Sequence, residues 1–283
     1  MLAILGGVGA ACAWAVSILC SSRSSRLIDP MAVVGWIMLV GLAITAPLAA
    51  VTGVPARLHG SALVWLIVAG AGNVVGLVLN YYALRIGQVS LVAPIVSTEG
   101  AIAALISVLA GATLGASVAV ALLVIVAGIT LASVPSPDAA LEDAAHHPRV
   151  VLFAIASTLS FGTSLYATGR AGALLPASWV VLSARLIGAL ALALPLALTG
   201  RLRLTRRALP FVVASGLAEV AGFYSYTWGS RHGLAIAAVL ASQFAVVALA
   251  VSYVLFGERL SRVQFAGVAC VVVGVAALSV LRA

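Results

Sequence analysis

The sequence predicts an all-α membrane protein of ten transmembrane helices, arranged as two inverted five-helix repeats, and three observations carry that expectation. Hydrophobic residues make up 64% of the 283-residue chain and charged residues only 8%, against roughly 45–50% and about 25% in soluble domains. The mean hydropathy is +1.24, so the solvent around most of the chain is lipid. The apolar residues fall into ten stretches, each close to the ~20 residues that a spanning helix needs. Finally, a shift of 146 residues lays the second half over the first without a gap. Pro30 falls on Pro176, Arg57 on Arg203, Gly70 on Gly216, Gly76 on Gly222 and Gly128 on Gly274, and Arg85-Ile86-Gly87 falls on Arg231-His232-Gly233. Five is odd, so a duplicated five-span unit inserts its second copy upside down. Inverted repeats hold a binding site near the bilayer midplane, where the copies meet and rock against each other.

Spans are expected at about 2–20, 31–52, 62–82, 88–110 and 115–133 in the first repeat (1–133), and at about 150–168, 177–199, 208–229, 234–256 and 263–281 in the second (149–283). Met1–Ser22 lacks a positive leading region and more apolar spans follow it, so it reads as the first helix rather than a leader. Pro47, Pro94 and Pro195 lie inside spans 2, 4 and 7, where each removes a helical hydrogen bond and can kink the helix. In a transporter such breaks free backbone carbonyls near the site. The run from Gly70 to Gly76 resembles a dinucleotide loop, but no strand precedes it, so it reads as a helix-packing face. Gly111 with Gly115 and Gly267 with Gly274 are expected to pack helices in the same way. Val134–Pro148 is the one sizeable polar stretch and forms the linker (134–148). Its His146-His147 pair reads as solvated loop rather than a metal site. Cys12, Cys20 and Cys270 show no metal or redox spacing, so no metal and no cofactor is expected.

A charge at the bilayer centre costs at least ~2.5–3.5 kcal/mol, so each one present is a functional candidate. Three qualify: Glu99 in span 4, Arg185 in span 7 and Glu219 in span 8. Asn73, Gly76 and Asn80 share one side of span 3, and Ser215, Glu219, Gly222 and Tyr226 share one side of span 8. Under the shift Asn73 maps to Glu219 and Asn80 to Tyr226, so the two copies aim equivalent polar faces at a common axis. Span 1 adds Trp14, Ser17 and Ser21, span 6 adds Ser157, Ser160 and Ser164, and span 9 adds Gln243. The candidate substrate-binding set is therefore Trp14, Asn73, Asn80, Glu99, Glu219, Tyr226 and Gln243. Arg185 is the charge partner, and two pairings are open to it: Glu99, as a structural lock of spans 4 and 7, or Glu219. Tyr81, Tyr82 and Trp228, near span ends, fit an interfacial belt as well as they fit ligand contacts.

A carboxyl held in such a setting binds a cation or a proton but not both, and that competition couples proton influx to export. Glu219 is the first choice for this role. Glu99 takes it if Arg185 pairs with Glu219. Aromatic faces on Trp14 and Tyr226 suit an amine or quaternary ammonium.

With Trp14 in span 1, Pro94 in span 4, the Gly257-Glu258-Arg259-Leu260 turn after span 9, and Gly128 and Gly274 in the last span of each repeat, the chain resembles the drug/metabolite transporter superfamily and its EamA-domain members with two repeats. It departs from their pattern at Gly111-Ala112-Thr113-Leu114, where an acidic-basic turn is usual, and at Leu240, opposite Pro94. The resemblance implies gradient-driven movement of amino acids, other metabolites or drugs, often outward. The expected partners are a small-molecule solute and the lipid bilayer of the cell membrane, with a monomer sufficient.

The net charge of +8 comes from fifteen basic residues, all Arg, placed singly or in pairs between spans with one cluster at Arg201–Arg207. Basic span-flanking loops are what membrane insertion favours, so no nucleic-acid role is expected. A flippase for lipid-linked substrates is the alternative of the same fold, and Arg185 is its one candidate headgroup contact. An enzyme is not expected: there is no HExxH, no Lys and no His within a span core. Orientation has two opposed indications, and the family arrangement is the one preferred, because inverted-repeat proteins can sit close to the topological balance point. The odd-numbered loops hold most of the arginines, which places both termini outside, whereas the resemblance implies both inside.

Overall fold

The computed structural model describes residues 1–86, 92, 95–133, 148–256 and 261–281, and every regular element among them is helical. The first repeat contributes α1 (Leu2–Ser25), α2 (Pro30–Thr52), α3 (Ser61–Ile86), α4 (Glu99–Leu109) and α5 (Ala116–Ser133). The second contributes α6 (Pro148–Leu174), α7 (Ala177–Leu198), α8 (Leu209–Ser230), α9 (Leu234–Ala241), α10 (Phe244–Phe256) and α11 (Arg262–Leu281). Helices α1, α2, α3, α6 and α7 are each long and apolar enough to cross a bilayer unaided. The linker residues 134–147, Pro94 and the Gly257–Leu260 turn lie outside the described residues.

Local chemistry sets several helix ends. Asp29 accepts a hydrogen bond from the Met31 N–H at 2.8 Å, with Pro30 opening α2, so one otherwise unpaired donor is satisfied where proline costs nothing. Ser261 and Gln264 exchange side-chain and backbone hydrogen bonds at the start of α11, a reciprocal cap. Gly53 and Gly200 follow α2 and α7 with φ of +68° and +67°, a conformation that residues with a Cβ rarely adopt. In α7, a π-helical turn at Ala189–Ala193 precedes Pro195. The wider turn re-registers the chain around the hydrogen bond that proline cannot make.

The repeats interleave rather than sit side by side. Helix α1 packs on α8, and its counterpart α6 packs on α3. Helix α2 contacts α8 while α7 contacts α3, and α5 lies against α11. The 146-residue relation holds down to single glycines. A Cβ on Gly128 would meet the Gly267 carbonyl oxygen, and one on Gly274 would meet that of Ala121, the residue equivalent to Gly267. Likewise Gly76 admits the Phe161 ring and Gly222 admits Trp14. Small residues let backbones approach where no hydrophobic drive between helices exists. The Gly70–Gly76 and Gly267/Gly274 expectations therefore hold. Gly111 and Gly115 differ: no other residue comes within 4 Å of a Cβ on either, and Gly111 is a turn residue with φ +96°. Gly111 follows the end of α4 and Gly115 precedes the start of α5, so neither packs one helix on another.

Two predicted spans are not single helices. The ninth is split at Ser242–Gln243 into α9 and α10, and the fourth is interrupted at Ser97–Thr98, just before α4. Under the repeat shift Ser97 falls on Gln243, so the breaks coincide. At each break the backbone tightens into i→i−3 bonds, Thr98 N–H to Ile95 O and Gln243 N–H to Leu240 O. Hydroxyls compete for the same carbonyls: Thr98 Oγ1 donates to Ile95 O and Ser242 Oγ to Val239 O. Thr158 of α6 also donates to Ile95 O at 3.0 Å, so the freed carbonyl is paired inside the protein rather than exposed to lipid.

One pair of contacts breaks the symmetry. Helices α6 and α8 meet near their C-terminal ends, where Gly169 abuts Ser230 and Gly172 abuts Thr227. Their equivalents α1 and α3 make no comparable contact among the described residues.

Candidate functional site

The three intramembrane charges converge between α4, α7 and α8. Arg185 is completely buried, and its Nη2 lies 3.1 Å from Glu219 Oε2. Of the two pairings open to it, the structure has Glu219. The guanidinium carbon sits 4.8 Å from the Phe223 ring centroid, and Nη1 reaches Met38 Sδ at 3.4 Å. Gly41 makes room for the stem, since a Cβ there would lie 2.7 Å from Arg185 Cδ. Arg185 Nε has no hydrogen-bond partner. Glu219, with 26% of its side chain exposed, is the wetter member of the pair.

Glu99 stands apart from that pair. It opens α4 at the break in span 4, is 6% exposed, and has no hydrogen-bond or ion-pair partner among the described residues. Glu99 lies within electrostatic reach of both Glu219 and Tyr226, which places the three in one neighbourhood. The first turn of a helix favours an anion, which helps to hold this carboxylate where it is. The next residue, Gly100, lies against the Ala238 carbonyl and Ser242 Oγ, so the two broken spans meet beside Glu99. Gln243, in the facing break, is buried with Nε2 unpartnered.

An aromatic wall closes this region. Trp14 lies 5.2 Å from Phe223, 6.2 Å from Tyr226 and 6.5 Å from Phe244 between ring centroids. Its indole Nε1 is buried without a partner. Tyr226 is wholly buried, and its hydroxyl donates to Leu165 O at 2.7 Å. It thus presents a ring rather than a free hydroxyl. Asn73 is buried and Asn80 half-buried on α3, which packs on α6 and α7 and makes no extensive contact with α8. An apolar cleft between the end of α2 and the start of α7, lined by Ala49, Trp179 and Leu182 among others, carries no charge and is not this site.

The serine faces serve packing. Ser157 donates to Gly76 O, Ser164 to Ala69 O, and Ser215 to Ser17 O, each tying two helices together. Ser21 and Ser160 bond within their own helices. Tyr82 and Trp228 are about half exposed near helix ends, as an interfacial belt requires. Phe223, Met38 and Gly41 were not among the sequence candidates. Phe223 had a readable signal, four residues after Glu219 and so on its face. Met38 and Gly41 had none, because their role follows from where α2 crosses α7.

The EamA-like transporter family model matches residues 1–134 and again 148–280. A solved crystal structure superposes with a TM-score of 0.83, covering 99% of this chain and 96% of its own, at 19% identity. That likeness shows the shared fold and nothing of the activity. No curated protein matches the sequence. With both halves matched, the chain belongs to the EamA-like transporter family of the drug/metabolite transporter superfamily, as a multi-pass membrane transporter with two repeats.

Proposed function

We propose that the protein is a proton-coupled secondary transporter, acting in the outward direction on small organic solutes that carry positive charge: amines, cationic drugs or the ammonium of an amino acid. Glu99 is the group at which solute and proton compete. The observation that carries this reading is the contrast between the two carboxylates. Glu219 already has a cation, Arg185 at 3.1 Å, whereas Glu99 is buried with none among the described residues. A buried carboxylate without a partner is costly and is relieved by a proton or by a cationic ligand. Trp14 and Phe223 add ring faces that attract ammonium groups, and Gln243 offers an unpaired N–H to a polar part of the solute. The broken spans supply the bistable element that alternating access needs. The flippase alternative has no comparable support, because Arg185, its headgroup contact, is engaged and completely buried.

The test is Glu99→Gln in liposomes, with counterflow and pH-gradient-driven uptake measured separately on a panel of amines, cationic drugs and amino acids. In the wild type, solute affinity weakens as pH falls, because protons occupy Glu99. In the variant, gradient-driven accumulation is lost and affinity no longer varies with pH. Wild-type coupling in Glu99→Gln removes Glu99 from the mechanism. No movement of any panel solute under a proton gradient removes the reading altogether.

A further inference from the structure

Two identities of the repeat have no part in the transport site: Pro30 with Pro176, and Arg85 with Arg231. Pro176 and Arg231 meet at one end of the bundle. Helix α6 ends at Leu174, and a continuing helix would pair the Gly172 carbonyl with the N–H of residue 176. That residue is a proline and has no N–H. The Leu175 carbonyl is passed over as well, because the Trp179 N–H bonds Pro176 O. The donors come instead from the end of α8. Arg231 Nε donates to Gly172 O at 2.7 Å, and its Nη2 donates to Leu175 O at 2.9 Å. One guanidinium thus caps α6 and fixes it to α8, just where Gly172 abuts Thr227. Basic side chains suit this position, because the free carbonyls are the negative end of the helix dipole.

The other end of the bundle has the same parts. Under the repeat shift Gly172 falls on Arg26 and Leu175 on Asp29. Arg26 O loses its helical donor to Pro30 as Gly172 O does to Pro176, and no donor to it is present among the described residues. The Asp29 carbonyl is taken by the Val33 N–H, but its carboxylate has room for another partner. Oδ1 accepts from the Met31 N–H at 2.8 Å, and Oδ2 lies 3.6 Å from the exposed Arg201. Arg85 stands at the position of Arg231, at the end of α3. Its side chain lies outside the described ones, so its part is carried by the repeat. Helices α1 and α3 make no contact comparable to that of α6 with α8 among the described residues.

We propose that Arg231 and Arg85 are alternating latches of the transport cycle. Arg231 caps α6 and holds α6 and α8 shut in this conformation. When the two arrangements exchange, Arg231 lets go and Arg85 caps α1, on Arg26 O and the Asp29 carboxylate, and holds α1 and α3 shut. Each proline keeps an acceptor vacant for its latch. With an N–H at position 30 or 176 the helix would satisfy that carbonyl itself, and the arginine would have nothing to grip. Arg231 is exposed, so the guanidinium and the helix-end carbonyls can hydrate on release, which keeps the exchange reversible. The inference rests on alternating access between inverted repeats, and not on Glu99 or on the charge of the solute.

The test needs no solute. Thr227 is completely buried against Gly172. In the full-length chain in detergent, with Cys12, Cys20 and Cys270 replaced by Ala, the rate at which a maleimide labels Thr227→Cys therefore reports how often α6 and α8 part. Adding Arg231→Gln should speed labelling by about fivefold or more, the scale of one net hydrogen bond. Adding Arg85→Gln should slow it by a similar factor, because the arrangement with α6 and α8 apart loses its own latch. Asp29→Asn, which keeps the cap on Met31, should slow it too. The combination Arg231→Gln/Arg85→Gln should return close to the reference rate. A merely structural role for the arginines would instead loosen the fold and speed labelling in both single variants. Unchanged labelling in Arg231→Gln overturns the latch at α6. Unchanged or faster labelling in Arg85→Gln overturns the alternation, and that arm leaves the α6–α8 end intact, so it decides even if Arg231→Gln does not fold.

Discussion

Arg185 is accommodated at the centre of the protein by four neighbours with separate tasks. Glu219 supplies charge, Phe223 a ring face, Met38 a polarisable sulfur and Gly41 the space for its stem. The two members of the ion pair are not equivalent, because Glu219 retains access to solvent-sized space and Arg185 does not. Removing the carboxylate strands a buried guanidinium, whereas removing the guanidinium leaves a carboxylate that can hydrate. Stranding one charge of a buried pair costs about 3–5 kcal/mol. Glu219→Gln should therefore destabilise the protein by roughly that amount, and Arg185→Met by distinctly less. Unfolding of both variants in mixed micelles checks this; equal losses, or a larger loss for Arg185→Met, would mean that the pair is not the asymmetric lock described. The three charged positions were legible in the sequence because charge inside an apolar run is rare. Their pairing was not, since Glu99 and Glu219 are chemically alike and only the crossing of α7 with α8 chooses between them.

Among the helices, the broken spans hold the most functional information. Pro94 gave a sequence reason to expect irregularity before Glu99, although that proline lies outside the described residues. Its counterpart Leu240 gave none, and the ninth span read as one continuous helix. The break at Ser242–Gln243 instead comes from a hydroxyl and a tightened turn, which apolar periodicity does not register. The two breaks are held together at Gly100, where a Cβ would come within van der Waals overlap of the Ala238 carbonyl oxygen. Backbone lies on the other side of that contact, so no side chain can swing away. Gly100→Ala should thus force α4 away from α9 and cost about 1–3 kcal/mol as overpacking does. It should also slow solute exchange beside Glu99 in counterflow while leaving helix content unchanged by circular dichroism. Wild-type exchange in this variant would show that the junction tolerates displacement and does not control the site.

At the level of the whole molecule the repeat was readable because equal spacing of glycines survives duplication, and the described contacts follow that symmetry closely. What the sequence could not reveal is where the symmetry fails, since both copies encode the same interfaces and only the conformational state decides which is made. The pair α6–α8 is closed on the face that carries the termini, with Gly172 against Thr227 and Arg231 holding the last carbonyls of α6. The equivalent pair α1–α3, on the opposite face, makes no comparable contact among the described residues. In an inverted-repeat transporter the two arrangements exchange during the cycle, so a protein fixed in this one should bind solute but not release it on the terminal face. The geometry permits that fixation. A Cβ built on Gly172 lies 3.8 Å from Thr227 Cβ, inside the ~3.5–4.5 Å range of disulfides. The double variant Gly172→Cys/Thr227→Cys, in a background without the native cysteines, should form a disulfide on mild oxidation. Transport in liposomes should then stop, solute binding should persist, and a reductant should restore turnover. If the oxidised protein, shown to be fully cross-linked by mass spectrometry, transports at the reduced rate, then α6 and α8 do not separate during transport and the gate lies elsewhere.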